Sequence, residues 1–151
     1  MTVQSFLEFF KNRNETLEFQ ALLENQKSLI KLDQTQHSLL TIQISLLLEK
    51  SGENQFLICE NKEEAIYYLN DLQQFLGNET CLFYPGSYRR PYDIEETDNA
   101  NVLFRSETIN RLNTRKKPSV VVSYPDALFE KVVDKSTLKN QTQSISVGDL
   151  V

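Results

Sequence analysis

The stretch that decides the fold is residues 55–77, QFLICENKEEAIYYLNDLQQFLG, in which an apolar strand is followed at once by a capped helix. Residues 55–59 are apolar nearly throughout, and such a run is typical of a strand that is covered on both faces in a parallel sheet. Asn61 predicts the N-cap of the helix, with two glutamates in the first turn, where the helix dipole favours anions. Gly77 predicts the end of the helix, because glycine is favoured just past the last helical residue. A strand followed directly by a helix indicates one unit of an α/β domain.

The same alternation continues on both sides of this unit. Further strands are predicted at residues 28–32, 80–84, 119–124 and 144–147, and further helices at residues 5–10, 16–24, 38–50, 101–113 and 126–133. Strands that alternate with helices are joined by right-handed crossovers. The pattern therefore predicts an α/β fold of three layers with a mainly parallel sheet.

Composition and charge narrow the class of protein. The chain has 151 residues, of which 40% are hydrophobic and 25% charged, and this balance favours one folded core over disorder. The net charge of −5 lacks the basic excess expected of a freestanding nucleic-acid binder. The sequence contains neither a membrane-spanning run nor a signal peptide, so a cytoplasmic protein without membrane association is expected. Cys59 and Cys81 lie in apolar runs and are predicted to be buried thiols.

The turn after the first predicted strand is the place where a nucleotide-binding α/β domain carries its phosphate-binding loop. That loop needs glycines, so that backbone N–H groups can wrap the phosphates, and a lysine that reaches them. The turn here consists of Asp33, Gln34, Thr35, Gln36, His37 and Ser38. It has no glycine and no lysine, so the sequence predicts a degenerate loop without cofactor binding or catalysis. His37 is the only histidine, and no zinc site is predicted.

The longest predicted loop, residues 85–99, interleaves aromatic and basic side chains. Two interpretations remain open for Tyr88, Arg89, Arg90 and Tyr92 in this loop and for Arg105 in the next helix. In the first, these side chains contact nucleic acid or another domain, because aromatic rings stack on bases and arginines pair with phosphates. Alternatively, the tyrosines pack the loop onto the sheet, and the arginines are solvated or paired with acidic residues of the loop. Those carboxylates are interpreted as solvated, since a catalytic pair needs two different environments.

Several stretches, taken together, resemble the start of bacterial transcription-repair coupling factors (Mfd). They are residues 55–77, RPYD at 90–93, RSETINRL at 105–112, VVVSYPDAL at 120–128 and VGD at 147–149. The resemblance covers residues 28–151. It implies that residues 28–143 form a UvrB-like α/β domain and that residues 144–151 begin the following, UvrA-contacting domain. Residues 1–27, which precede the resemblance, are predicted from their amphipathic pattern to be N-terminal helices.

The resemblance also implies a fold and a function. The fold would be P-loop-NTPase-like, similar to domain 1a of UvrB, without a functional Walker A motif. The chain would be a non-catalytic module of a protein that displaces stalled RNA polymerase at DNA lesions and recruits UvrA for nucleotide-excision repair. The motor of that protein would bind ATP and magnesium, hydrolyse ATP and translocate on DNA. This module would pack against other domains of the same protein. The alternatives are a functional nucleotide-binding domain or a DNA-contacting module of a UvrB-like helicase.

Overall fold

The computed structural model describes residues 2–24, 29–32, 37–88, 97–114 and 117–132. The elements in these ranges are α1 (Val3–Lys11), α2 (Asn14–Glu24), α3 (His37–Ser51), β1 (Gln55–Ile58), α4 (Lys62–Leu76), β2 (Cys81–Phe83), α5 (Asn99–Thr114), β3 (Val120–Ser123) and α6 (Pro125–Phe129). The three strands form a parallel sheet in the order β1-β3-β2. The predicted α/β class and parallel sheet are therefore confirmed for the described part of the chain.

The centre of the sheet is β3. Its residue Val121 stands between Phe56 of β1 and Leu82 of β2. Val121 and the valines on either side of it are fully buried, with 0% of their surface exposed. Side chains of a strand alternate between the two faces of the sheet, and branched side chains suit this setting. The three consecutive valines of the central strand therefore supply buried side chains to both faces of the sheet.

Helices lie on both faces of the sheet. On one face, Leu72 of α4 and Leu48 of α3 share an apolar cluster with Val122. On the other face, Ile109 of α5 packs with Val121 in a second cluster. The three predicted layers are thus present.

The two N-terminal helices, predicted at residues 5–10 and 16–24, are present and pack onto α3. Leu7 of α1 forms a buried cluster with Ile42 and Leu46 of α3. Between α2 and α3, the buried Gln43 side chain donates a 2.9 Å hydrogen bond from Nε2 to Oγ1 of Thr16. The helical N-terminus is therefore tied to the α/β layers through α3.

The strand predicted at residues 28–32 is wrong for residues 29–32, which form no strand. Leu29 is fully exposed, and Leu32 is also exposed. Apolar side chains form a strand only where a neighbouring strand supplies hydrogen-bond partners, and none of the three described strands pairs with residues 29–32. A phosphate-binding loop connects a strand of the sheet to the helix that follows it. Within the described ranges, no strand of the sheet precedes α3.

Two further expectations are corrected. β1 was expected to be covered on both faces, yet Phe56 and Ile58 are 54% and 57% exposed. β1 lies at one edge of the described sheet, while α5 contacts β2 at the opposite edge. The last helix, predicted to reach residue 133, ends at Phe129, because Glu130 has an extended backbone. The predicted strand at residues 144–147 lies outside the described residues.

Candidate functional site at the carboxyl edge of the sheet

The carboxyl ends of β2 and β3 meet at the same edge of the sheet, which is where α/β proteins bind their ligands. After β2 the chain turns through Pro85, Gly86 and Ser87. After β3, Tyr124 is the N-cap of α6 and Pro125 is its first residue. Proline suits this position, since the N–H that it lacks would have no partner inside the helix. The two segments thus bring a glycine-containing turn and a short helix side by side.

The carboxylate of Glu130, directly after α6, reaches across to this turn. The backbone N–H of Ser87 donates to both of its oxygens, at 2.8 Å to Oε1 and 3.0 Å to Oε2. The Ser87 hydroxyl donates to Oε2 as well. Nη1 of Arg105 lies 3.4 Å from the same oxygen. The carboxylate is thus held by three kinds of donor, and the side chain is only 16% exposed.

Arg105 is the centre of the site. Its Nη1 donates to the carbonyl oxygen of Pro85 at 2.7 Å and to that of Ala127 at 2.9 Å. Its guanidinium lies over the ring of Tyr84, 4.2 Å from the centroid, an arrangement that favours a cation. Only 9% of the side chain is exposed. One arginine therefore connects α5 to the turn after β2 and to α6.

Gly86 allows the turn to approach the Glu130 carboxylate and the Tyr124 hydroxyl closely. Its N–H donates to the hydroxyl of Tyr124 at 2.8 Å. A Cβ at this position would lie 3.0 Å from Oε1 of Glu130 and 3.4 Å from the Tyr124 hydroxyl. Burial raises the pKa of Tyr124, so the phenol stays protonated. Any other residue at position 86 would have to push the carboxylate aside.

The inner face of α5 is polar, which the sequence reasoning missed. Asn101, Arg105 and Thr108 are its buried residues, and the Thr108 hydroxyl donates to the carbonyl of Phe83 at 2.9 Å. The apolar residues Val102 and Leu112 of this helix are exposed instead. The signal that could have identified the inner face was the spacing of polar residues at positions i, i+4 and i+7, which lie on one side of a helix.

Two buried polar atoms near Arg105 have no hydrogen-bond partner in the described structure. They are the hydroxyl of Tyr84 and Nδ2 of Asn101. Tyr84 carries the ring beneath the guanidinium, and Asn101 precedes Arg105 by one helical turn. Burial raises the pKa of Tyr84, so its phenol is a hydrogen-bond donor. Unpartnered buried polar atoms are rare in folded proteins, and each calls for an explanation.

The residues singled out from the sequence fall into three groups. Asp33, Gln34, Thr35, Gln36, Arg89, Arg90 and Tyr92 lie outside the described residues. His37 and Ser38 begin α3, and the Ser38 carbonyl accepts a bond from the Thr41 hydroxyl. Tyr88 forms an antiparallel bridge with Thr97.

Arg105 is buried, and it contacts its own domain. Within the described part of the chain, its ionic partner is Glu130. The predicted burial of the two cysteines is confirmed, since Cys59 and Cys81 are both buried and free. In the part of the chain that the structure describes, no group of three or more potential ligands could hold a metal ion. Among the same residues, no helix is long and apolar enough to cross a membrane.

The fold and the site define an α/β protein whose sheet edge, at the carboxyl ends of two parallel strands, is closed by the protein's own charged side chains. The chain is 29% identical over 93 residues to a transcription-repair-coupling factor of Rickettsia bellii (strain RML369-C). The match covers 61% of this chain and 8% of the length of that relative. No protein-family model and no solved structure gives a significant match. This distant, partial similarity supports a relationship to transcription-repair coupling factors.

Proposed function

We propose that this chain is a non-catalytic N-terminal module of a cytoplasmic transcription-repair coupling factor, with a role in DNA repair. The repair context rests on the similarity to the Rickettsia protein. One observation carries the non-catalytic role: the carboxyl edge of the sheet is occupied by Glu130 and Arg105, which bond to each other and to the adjacent backbone. A ligand at this edge would first have to displace a buried ion pair.

The sequence of residues 33–38 supports the same proposal. A triphosphate is held by backbone N–H groups that approach closely at glycines and by a lysine. Residues 33–38 contain neither glycine nor lysine, and positions 34 and 36 are glutamines. The module would therefore serve as a scaffold with a P-loop-like fold, and ATP and magnesium would act in a separate motor.

In this proposal the α/β layers of residues 28–143 support a UvrA-contacting domain that begins at about residue 144. The complete protein would displace stalled RNA polymerase at lesions and recruit UvrA. Packing of this module against other domains would restrain the motor until repair begins.

A nucleotide titration tests the non-catalytic part. The chain is titrated with a fluorescent ATP analogue and magnesium, and polarisation is recorded. We expect no saturable binding at millimolar concentrations, because residues 33–38 contain neither glycine nor lysine. Micromolar affinity would contradict the proposal and favour the alternative of a functional nucleotide-binding domain.

A strand-specific repair assay tests the repair role. The segment that encodes this chain is deleted in the native host, and removal of ultraviolet photoproducts is measured in the transcribed and non-transcribed strands of one gene. We expect slower repair of the transcribed strand only, since the non-transcribed strand is repaired without transcription coupling. Restoring the wild-type segment should restore the difference between strands. An unchanged difference after deletion would contradict the proposed role.

A further inference from the structure

The donors around the Glu130 carboxylate are the groups that proteins use to bind oxyanions. A backbone N–H and a hydroxyl come from Ser87, and a guanidinium comes from Arg105. Charge-assisted hydrogen bonds of this kind are the strong ones, and turns with exposed N–H groups form concave sites for anions. Gly86 brings the turn within reach, because any Cβ there would crowd an anion in this position. The arrangement is a complete oxyanion site with a carboxylate in it.

The occupant, Glu130, lies directly after the short helix α6. Glu130 is the C-cap of α6, a helix of five residues, and its backbone is extended. Lys131 and Val132 after it are exposed. Movement of these few residues would withdraw the carboxylate, whereas Ser87 would stay in place on the turn after β2 and Arg105 on α5.

The carboxylate does not use every donor in the neighbourhood. The Tyr84 hydroxyl and Nδ2 of Asn101 are buried without partners, and both residues flank Arg105. Both oxygens of the Glu130 carboxylate accept from Ser87, and neither is hydrogen-bonded to the Tyr84 hydroxyl or to Nδ2 of Asn101. A phosphate group offers more acceptors to the surplus donors around the guanidinium. The unpartnered atoms therefore favour an anion larger than the one supplied by Glu130.

We propose that the Gly86–Ser87 turn and Arg105 form a phosphate-class anion site, which Glu130 occupies as a built-in ligand and vacates for an external phosphate. The side chains of Glu130 and Arg105 are largely buried, so only a small phosphate-bearing molecule would fit beside them. This site is independent of the proposed repair role, because that role rests on the similarity to the Rickettsia protein and the site rests on the contacts around Glu130 and Arg105.

A rescue experiment with the Glu130→Ala chain tests this proposal. Thermal unfolding is followed in inorganic phosphate, acetate and chloride at equal ionic strength. Phosphate should raise the Tm of this variant saturably, with an apparent Kd about tenfold lower than in the wild type, whose carboxylate competes. Acetate should act more weakly, and chloride should give only the general salt effect. The double variant Glu130→Ala, Ser87→Ala should respond to phosphate more weakly than Glu130→Ala, because it lacks the hydroxyl donor but keeps the backbone N–H and Arg105.

The matched control is Glu107→Ala, which removes an exposed carboxylate from an ion pair with Arg111 on the outside of α5. Its response to phosphate should equal that of the wild type. The proposal is overturned if phosphate acts on the Glu130→Ala chain no more than chloride does, or if acetate acts more strongly. If Glu130→Ala does not fold, Glu130→Gln takes its place, and the amide resonance of Ser87 is followed by NMR during the phosphate titration. No saturable shift of that resonance would equally overturn the proposal.

Discussion

Nη1 of Arg105 lies 3.4 Å from Oε2 of Glu130, and the two side chains are 9% and 16% exposed. This ion pair joins α5 to the end of α6 inside the protein. Removing both charges from water costs free energy. The bond from Ser87 to the Glu130 carboxylate and the bonds from Arg105 Nη1 to the Pro85 and Ala127 carbonyls offset part of that cost. The pair therefore fixes how the carboxyl edge of the sheet is closed.

Replacing Arg105 by methionine should destabilise the protein strongly. Methionine roughly keeps the volume of the side chain. It leaves the Glu130 carboxylate without its cationic partner and the carbonyls of Pro85 and Ala127 without the Arg105 donor. Loss of one partner of a buried pair costs about 3–5 kcal/mol of unfolding free energy. Urea unfolding measures the loss. The control is Arg111→Met on the same helix, where a more exposed pair with Glu107 is worth at most about 1 kcal/mol. Equal losses for the two variants would show that the buried pair is unimportant.

The N-cap of α4 should contribute measurably to stability. Oδ1 of Asn61 accepts the backbone N–H of Glu64 at 2.9 Å. Asn61→Ala removes that acceptor and should cost about 1 kcal/mol, measured by thermal unfolding. Asn70→Ala makes the same change at an exposed position inside the helix, where alanine is the better helix former by a few tenths of a kcal/mol. The cap assignment fails if both variants unfold at the same temperature.

The polar inner face of α5 gives a third prediction. The Thr108 hydroxyl is buried and donates to the Phe83 carbonyl of β2, whereas that of Thr114 is exposed and donates to the Asn110 carbonyl. Thr108→Val should cost about 1–2 kcal/mol, because the buried carbonyl loses its partner. Thr114→Val should change the free energy of unfolding by less than about 0.5 kcal/mol, since water replaces the hydroxyl. A neutral Thr108→Val would mean that this bond does not hold α5 to the sheet.

The buried thiols predict a loss of stability at alkaline pH. Burial raises the pKa of Cys59 and of Cys81 from 9.0 to about 11. Between these values the unfolded chain has lost the thiol protons and the folded chain still holds them. The unfolded state then binds fewer protons, so the free energy of unfolding is at its full value below pH 9.0 and falls as the pH rises towards about 11.

Urea unfolding across that pH range measures this effect, and the double variant Cys59→Ala, Cys81→Ala is the control. Its slope should be shallower, and the slope that remains belongs to Tyr68, Tyr84 and Tyr124, whose pKa values burial also raises. A slope identical to that of the wild type would argue against buried thiols. Slow reaction of both cysteines with a thiol reagent before unfolding, and fast reaction in urea, would support them.

Local chemistry made parts of the fold predictable. The helix over residues 62–76 was predicted with its correct ends, because the Asn61 cap and the turn at Gly77, whose φ is +79°, depend on a few neighbouring residues. The strand at residues 28–32 was predicted from partial alternation, whereas β1 was predicted from a nearly continuous apolar run. Among the described strands, β1 pairs with β3 and residues 29–32 pair with none, and a partner is not a property of either stretch by itself.

The sequence by itself determined the alternation of helices and strands, the caps of α4, and a strand at the three valines. The tertiary structure decided which face of α5 is buried, that β1 lies at an edge, and that Arg105 is buried against Glu130 and away from solvent. The reason is distance along the chain. Ser87 and Glu130 are 43 residues apart, and a bond between them exists only after two parallel strands have ended at the same edge of the sheet.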